Sequence, residues 1–250
     1  MFLYKIHQKL SIFLAGFSIA FPSAVMAQTG LSASSLSSRL PISWDFAPPD
    51  NIDQPDYREA GATRGPRENP GTCLKTNQNF TALVPKSGKG LTAQAYPTFF
   101  WHLPPNSGKK LRFTLRNEEG MELYSSEYSL LNKKSDSRIM SFTLPINSGI
   151  SPLEIGQEYH WELALICNDY NDFDFTLIQA TVARVSAESV LSSQAENTTL
   201  ENQVKLYANA RLWYETLETM VELRRLKPND RELEEAWTLL LSSVGLENIK

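Results

Sequence analysis

Between residues 80 and 185 the chain alternates short apolar runs with polar breaks, at the spacing of strands. The runs are Phe80 to Val84, Thr98 to Leu103, Leu111 to Arg116, Met121 to Tyr128, Ile139 to Leu144, Gln157 to Cys167 and Asp174 to Val185. Every second side chain of an extended chain shares one face, so alternation marks a strand half-buried against a core. The breaks carry the chemistry of chain reversal: Pro85 to Gly90, Pro104 to Gly108, Glu119-Gly120, Asn132 to Ser137 and Asn147 to Gly149. Glycine, proline, asparagine and serine supply the dihedrals and local hydrogen bonds that turns need. Strands in this number, with no helix between them, predict an antiparallel β-sandwich.

The segment Leu153-Glu-Ile-Gly156-Gln-Glu-Tyr159 narrows that prediction. An apolar residue, a turn glycine and a tyrosine opening a long strand form the tyrosine corner of immunoglobulin-like domains, where the phenol bonds upstream backbone. From Tyr159 the alternation sends Trp161, Leu163, Leu165 and Cys167 inward, and His160 and Glu162 outward. By the same rule Phe99, Trp101 and Leu103 face the core, which leaves Phe100 and His102 on the other face. Phe100 and His102 are therefore the candidate binding residues, suited to a glycan or a partner protein. The competing expectation is that this face lies under the C-terminal helices, which need an apolar surface of their own.

Near residue 204 the period changes from two to 3.6. Leu206, Ala210, Trp213, Tyr214, Leu217, Met220 and Val221 fall on one helical stripe, with Arg211, Glu215, Glu218 and Glu222 opposite. Pro228 stops this helix. Asn229 is read as the cap of a second, with Glu232 completing a capping box, Leu233, Trp237, Leu240 and Val244 as its buried face and Gly245 at its end. Such a stripe does not stay solvated, so the hairpin is expected to dock on the sandwich. The pair resembles half of a solenoid unit, with no second copy along the chain.

The first residues read as an address. Lys5 and Lys9 precede an apolar run from Leu10 to Phe21, and Val25-Met26-Ala27 supplies small residues before Gln28. The expectation is an exported protein, periplasmic or extracellular, divided into a signal peptide at 1–27, a flexible lead-in at 28–72, the sandwich at 73–185, a linker at 186–203 and the hairpin at 204–250. The lead-in is rich in Ser, Pro, Gly, Asn and charge, which bury too little to offset ordering entropy. No later stretch approaches the roughly 20 apolar residues of a membrane crossing, so no transmembrane segment is expected in the mature chain. In an oxidising compartment Cys73 and Cys167 are expected to form a disulfide; a reactive thiol is the alternative.

Formal net charge is −4, which argues against a nucleic-acid partner, since phosphate backbones want a basic surface. The one dense basic cluster, Arg224-Arg225-Leu226-Lys227, sits at a helix end where cations complement exposed carbonyls.

The Thr63-Arg64-Gly65 element with Cys73 beyond it, Leu83-Val84-Pro85, Gly90-Leu91-Thr92, Pro97 through Trp101, Tyr159-His-Trp161 through Cys167, and Trp213-Tyr214 through Arg224, Pro228, Trp237 and Ser243-Val244-Gly245-Leu246 form a combined pattern. It resembles a cyanobacterial family of exported proteins named for a domain of unknown function, number 928, over roughly residues 55 to 246. The resemblance implies an exported protein whose strands and terminal helices form one unit, and no established activity. Departures are local: Ala60 and Ala62 replace glycines, extra residues separate Gly65 from Cys73, and Asn168-Asp-Tyr-Asn-Asp-Phe173 replaces Asp-Pro and Arg-Ser elements.

Chemistry is sparse. Past the leader the only histidines are His102 and His160, on strands that could be neighbours, and no Gly-x-Ser-x-Gly elbow exists. The segment from Asp169 to Asp174 fails the calcium-loop pattern and Ser87-Gly-Lys-Gly90 fails the phosphate-loop pattern, so neither metal nor cofactor is expected. The expected function is a non-enzymatic binding or assembly component of the cell envelope, partnered by an envelope protein or glycan. The rival is a hydrolase of envelope glycans or peptides, which a His pair or a cluster of acids in one deep cleft would favour.

Overall fold

A computed structural model describes residues 62–64, 73–74, 79–130, 138–168, 170–187 and 194–249. The expected leader, all of the lead-in except 62–64, and the turn expected at Asn132 to Ser137 lie outside the described residues.

The strands are β1 (Ala62–Arg64), β2 (Thr81–Ala82), β3 (Lys89–Thr92), β4 (Thr98–Leu103), β5 (Lys110–Asn117), β6 (Glu122–Ser129), β7 (Arg138–Thr143), β8 (Glu158–Asn168) and β9 (Asn171–Arg184). They form two sheets. The larger runs β1-β9-β8-β5-β6 with β3 also on β9, and the smaller runs β2-β4-β7. With β2, β4 and β7 as strands A, B and E, and β9, β8, β5 and β6 as G, F, C and C′, this is an immunoglobulin-like order. The protein is a mainly β sandwich of that type with C-terminal helices.

The tyrosine corner closes as the sequence predicts. The Glu154 N–H donates to the Tyr159 hydroxyl at 2.8 Å, and Gly156 takes the positive φ, 85°, that the turn requires. Tyr159→Phe should leave that N–H without its acceptor and cost on the order of 1 kcal/mol, read as a lower urea midpoint at unchanged slope.

Two short strands escape the periodicity. β1 lies in what the sequence suggests is a flexible lead-in, yet pairs antiparallel with β9, Thr63 opposite Thr176. β3 begins inside a predicted turn and runs parallel to β9, Lys89 opposite Thr181 through Thr92 opposite Arg184, so the sandwich is not wholly antiparallel. Runs of three and four residues are too short to show an alternation.

The helices are α1 (Leu200–Asn209), α2 (Trp213–Leu226) and α3 (Arg231–Ser243). The expected single first helix is thus two, and the expected linker is itself helical at 194–196 before Thr199, whose side chain caps α1. The break falls at Arg211, which takes φ 60°, and it leaves Ala210 exposed. The cap of α3 is Asp230 and not Asn229: its carboxylate accepts from the Leu233 N–H at 3.1 Å, which leaves Glu232 one position short of a capping box.

Docking of the helices is plain. Trp213, wholly buried, donates its indole N–H to the Leu83 carbonyl at 2.8 Å. Tyr214 enters the sandwich itself, accepting from the Trp161 indole at 3.0 Å and lying 5.5 Å, centroid to centroid, from Phe99. Both rings press on β3 at Gly90, where an added Cβ would lie 2.8 Å from Tyr214 and 3.1 Å from Trp213. That approach accounts for a glycine in the middle of a strand. α3 completes the hairpin through Leu233, Trp237 and Leu240, with the Arg224 guanidinium 4.4 Å above the Trp237 ring. At the opposite end Cys73 and Cys167 are joined, S–S 2.07 Å, which ties the entry of the sandwich to the end of β8.

Candidate functional site

The smaller sheet disposes of the first candidate. Phe100 and His102 do lie on the face of β4 opposite Phe99, but they are 3% and 4% exposed, and Phe100 belongs to the same apolar cluster as the helical residues. Their strand neighbour on that face, Thr98, donates its hydroxyl to Glu218 of α2 at 2.6 Å. The outer face of β4 is therefore spent on the protein's own interior, and Phe100 and His102 form no contact surface. An amphipathic hairpin needs an apolar floor, and this face supplies it. His102 donates Nδ1–H to the Asn79 carbonyl at 3.1 Å, and burial pushes its pKa down against the pull of that bond. His160 points outward from the other sheet, Nδ1 3.1 Å from the Thr181 hydroxyl, so the two histidines are not brought together.

Glu215 is a residue that pattern reading puts on the wrong side. It lies opposite the apolar stripe, yet is 4% exposed. Its Oε1 accepts from the Thr92 hydroxyl at 2.8 Å, the Ala93 N–H at 2.7 Å and the Gln94 N–H at 3.1 Å, while Oε2 is buried with no hydrogen-bond partner. Glu218 adds bonds from Thr98 and from Gln94 at 2.9 Å. The pair pins α2 to the segment joining β3 and β4. A glutamate cap for a loop has no periodic signature, and only the turn donors in Thr92-Ala-Gln94 hinted at it.

Burial raises the Glu215 pKa, and the hydrogen bonds oppose the rise without cancelling it. The folded state thus binds this proton more tightly than the unfolded chain. Its contribution is fully present below the ordinary carboxylate value of 4.5 and fades as pH rises from there through the raised folded value. Glu215→Gln should remove that dependence. Parallel urea titrations from acid to neutral pH should show the parent losing stability relative to the variant as pH rises.

The larger sheet keeps one broad outer face. Arg112, Thr114 and Arg116 on β5, Glu162 and Ala164 on β8, and Phe175, Leu177 and Gln179 on β9 line a concavity of about 630 Å³. Its floor is apolar, at Ala164, Phe175 and Leu177, which sit side by side because the β8–β9 register puts Ala164 opposite Leu177 and Ile166 opposite Phe175. Its rim is charged and internally paired. Arg112 meets Glu127 at 2.6 Å, Arg116 lies 3.2 Å from Glu122 and 3.8 Å from Glu162, and Gln179 donates to Glu162 at 2.5 Å. An apolar centre with a polar rim is the anatomy of a contact surface. Alternation along β8 does show Glu162 facing out, but the cross-strand assembly of the face needs the strand order.

A second cleft, of about 580 Å³, opens at the tyrosine-corner end between the β5–β6 hairpin and the loop before β8. Five glutamates line it: Glu118, Glu119, Glu122, Glu154 and Glu158. Lys89 bonds Glu158 and Arg116 bonds Glu122, and Glu118, Glu119 and Glu154 are exposed. Among the described residues no three His, Cys, Asp or Glu side chains gather as a metal site, and no helix is long and apolar enough to cross a membrane.

Comparison with known proteins agrees with a domain whose activity is open. No curated protein matches the chain. Among solved structures, the fn3 domain of human collagen alpha-1(XX) chain is similar at 14% identity and a TM-score of 0.26, over 39% of this chain and 76% of that one. The immunoglobulin-like assignment rests on the strand order and the tyrosine corner instead. From β1 through α3, residues 59–250 match one family, and the chain belongs to it: Domain of Unknown Function (DUF928).

Proposed function

We propose that this is an exported, non-enzymatic binding or assembly component of a cyanobacterial cell envelope, and that the outer face of the larger sheet is its contact surface. Export is supported by the leader pattern, and mass measurement of natively produced protein should find an N-terminus at or near Gln28. An intact Met1 would refute it.

One observation carries the binding reading. Helix α2 packs on the outer face of β4, whereas the face bearing Ala164, Phe175 and Leu177 holds an open concavity with an apolar floor inside paired charges. A partner, protein or glycan, would cover the floor and exchange the rim pairs for its own polar groups. Leu177→Arg should abolish capture of partners from envelope extract while thermal unfolding stays close to the parent's. Unchanged capture would move the contact surface elsewhere.

The hydrolase reading keeps one observation, the glutamate-lined cleft, because paired carboxylates across a cleft are the machinery of glycoside cleavage. Turnover of peptidoglycan or polysaccharide by pure protein, lost in Glu154→Gln or Glu119→Gln, would favour it over binding.

A further inference from the structure

Strand β6 ends the larger sheet, and among the described residues nothing pairs with its outer side. It is eight residues long, its outward positions are exposed, and it carries neither lysine nor proline, the residues that commonly guard an edge. Its inner row is Tyr124, Ser126 and Tyr128, opposite Leu115, Phe113 and Leu111 of β5. Both tyrosines are half-buried against Phe142 of β7, with ring centroids at 5.9 and 5.6 Å. Its outer row includes Ser125 and Glu127.

We propose that β6 pairs with β6 of a second copy, antiparallel about a two-fold axis at Ser126. The sequence selects that register. Face matching requires inner residues opposite inner ones. Centred on Ser126, each Tyr124 lies opposite Tyr128 of the second copy, Ser126 meets itself, and each Ser125 faces Glu127. Two aromatic cross-strand pairs form and no like charges oppose. Centring on Glu127 sets two carboxylates against each other, and centring on Ser125 loses both tyrosine pairs, setting Tyr124 against Ser126 and Tyr128 against Glu122. Charge fits this register too: Arg112 at 2.6 Å and Lys110 at 3.7 Å already balance Glu127, so the edge brings no net repulsion to the axis. The contact is isologous, closing at two copies instead of propagating, and it joins the two larger sheets into one. The outer row of β6, with Ser125 and Glu127, borders the rim of the proposed binding face, whereas the apolar floor at Ala164, Phe175 and Leu177 lies on β8 and β9.

Sedimentation of the mature protein should give twice the chain mass, falling to one chain mass for Ser126→Lys, which sets two ammonium groups on the axis. A parent that sediments as a monomer at every concentration overturns the proposal. Ser126→Cys supplies a readout that does not depend on the lysine variant folding. Opposed residues on paired strands have Cβ atoms about 4.5–5.5 Å apart, close to disulfide reach, so mild oxidation should link two chains through residue 126. Ser141→Cys, exposed on the β7 edge of the smaller sheet, should not link. Equal linking by both variants, with the Cys73–Cys167 bond intact by peptide mapping, would mark random collision and overturn the register.

Discussion

Trp213→Ala should lower the free energy of unfolding by about 3–5 kcal/mol, the range for deleting a large buried aromatic. The indole has no exposed surface, rests against Gly90, and satisfies the Leu83 carbonyl. Truncation therefore removes apolar burial, opens a cavity between α2 and β3, and orphans a buried acceptor, so the terms add. Because Tyr214 reaches the sandwich core from the next position, the loss should appear in one cooperative urea transition that includes the strands. A variant that unfolds like the parent, or that loses helical signal in a separate early step, would mean that the helices are not part of the sandwich's cooperative unit.

Replacing both cysteines, Cys73→Ser with Cys167→Ser, should cost roughly 4–5 kcal/mol in the chain-entropy account, since the bond closes a separation of 94 residues. The double variant avoids a lone thiol. Chemical denaturation of the oxidised parent, the reduced parent and the variant should give the last two similar midpoints, well below the first. Equal stability of all three would show that the unfolded chain is not restrained by this link, and that contacts around β8 hold the entry of the sandwich unaided.

Single positions show how far the sequence carries. The run from Tyr159 to Leu165 alternates cleanly because β8 is central, with one face in the core, and the alternation ends at Ile166, buried at an outward position, and half-buried Cys167, where the β8–β9 register shifts. Phe100 and His102 alternate equally well, yet their outward face is as dry as the inward one. Alternation tells which residues share a face; whether another element covers that face depends on contacts distant in the chain. The stripe from Leu206 to Val221 likewise marks residues of two helices but runs through the break at Ala210 and Arg211, because one left-handed residue reverses the chain without leaving a gap in the apolar period. Glu215 escapes the pattern for a related reason. A carboxylate is solvated by default, and only the three donors that the β3–β4 segment turns toward it make its burial tolerable.

The sequence by itself determined the strands long enough to alternate, turns such as Glu119-Gly120 and Asn147 to Gly149, the tyrosine corner, the two long helical stripes and the pair of cysteines, because each is fixed by local sterics or by a period within a few neighbouring residues. Tertiary structure alone decided the rest: the strand order, the parallel pairing of β3, the capture of β1, the burial of Phe100, His102 and Glu215, and the open apolar floor at Ala164, Phe175 and Leu177. Each of these depends on which surfaces meet across the chain, and a residue's type constrains its own burial only through what comes to lie against it.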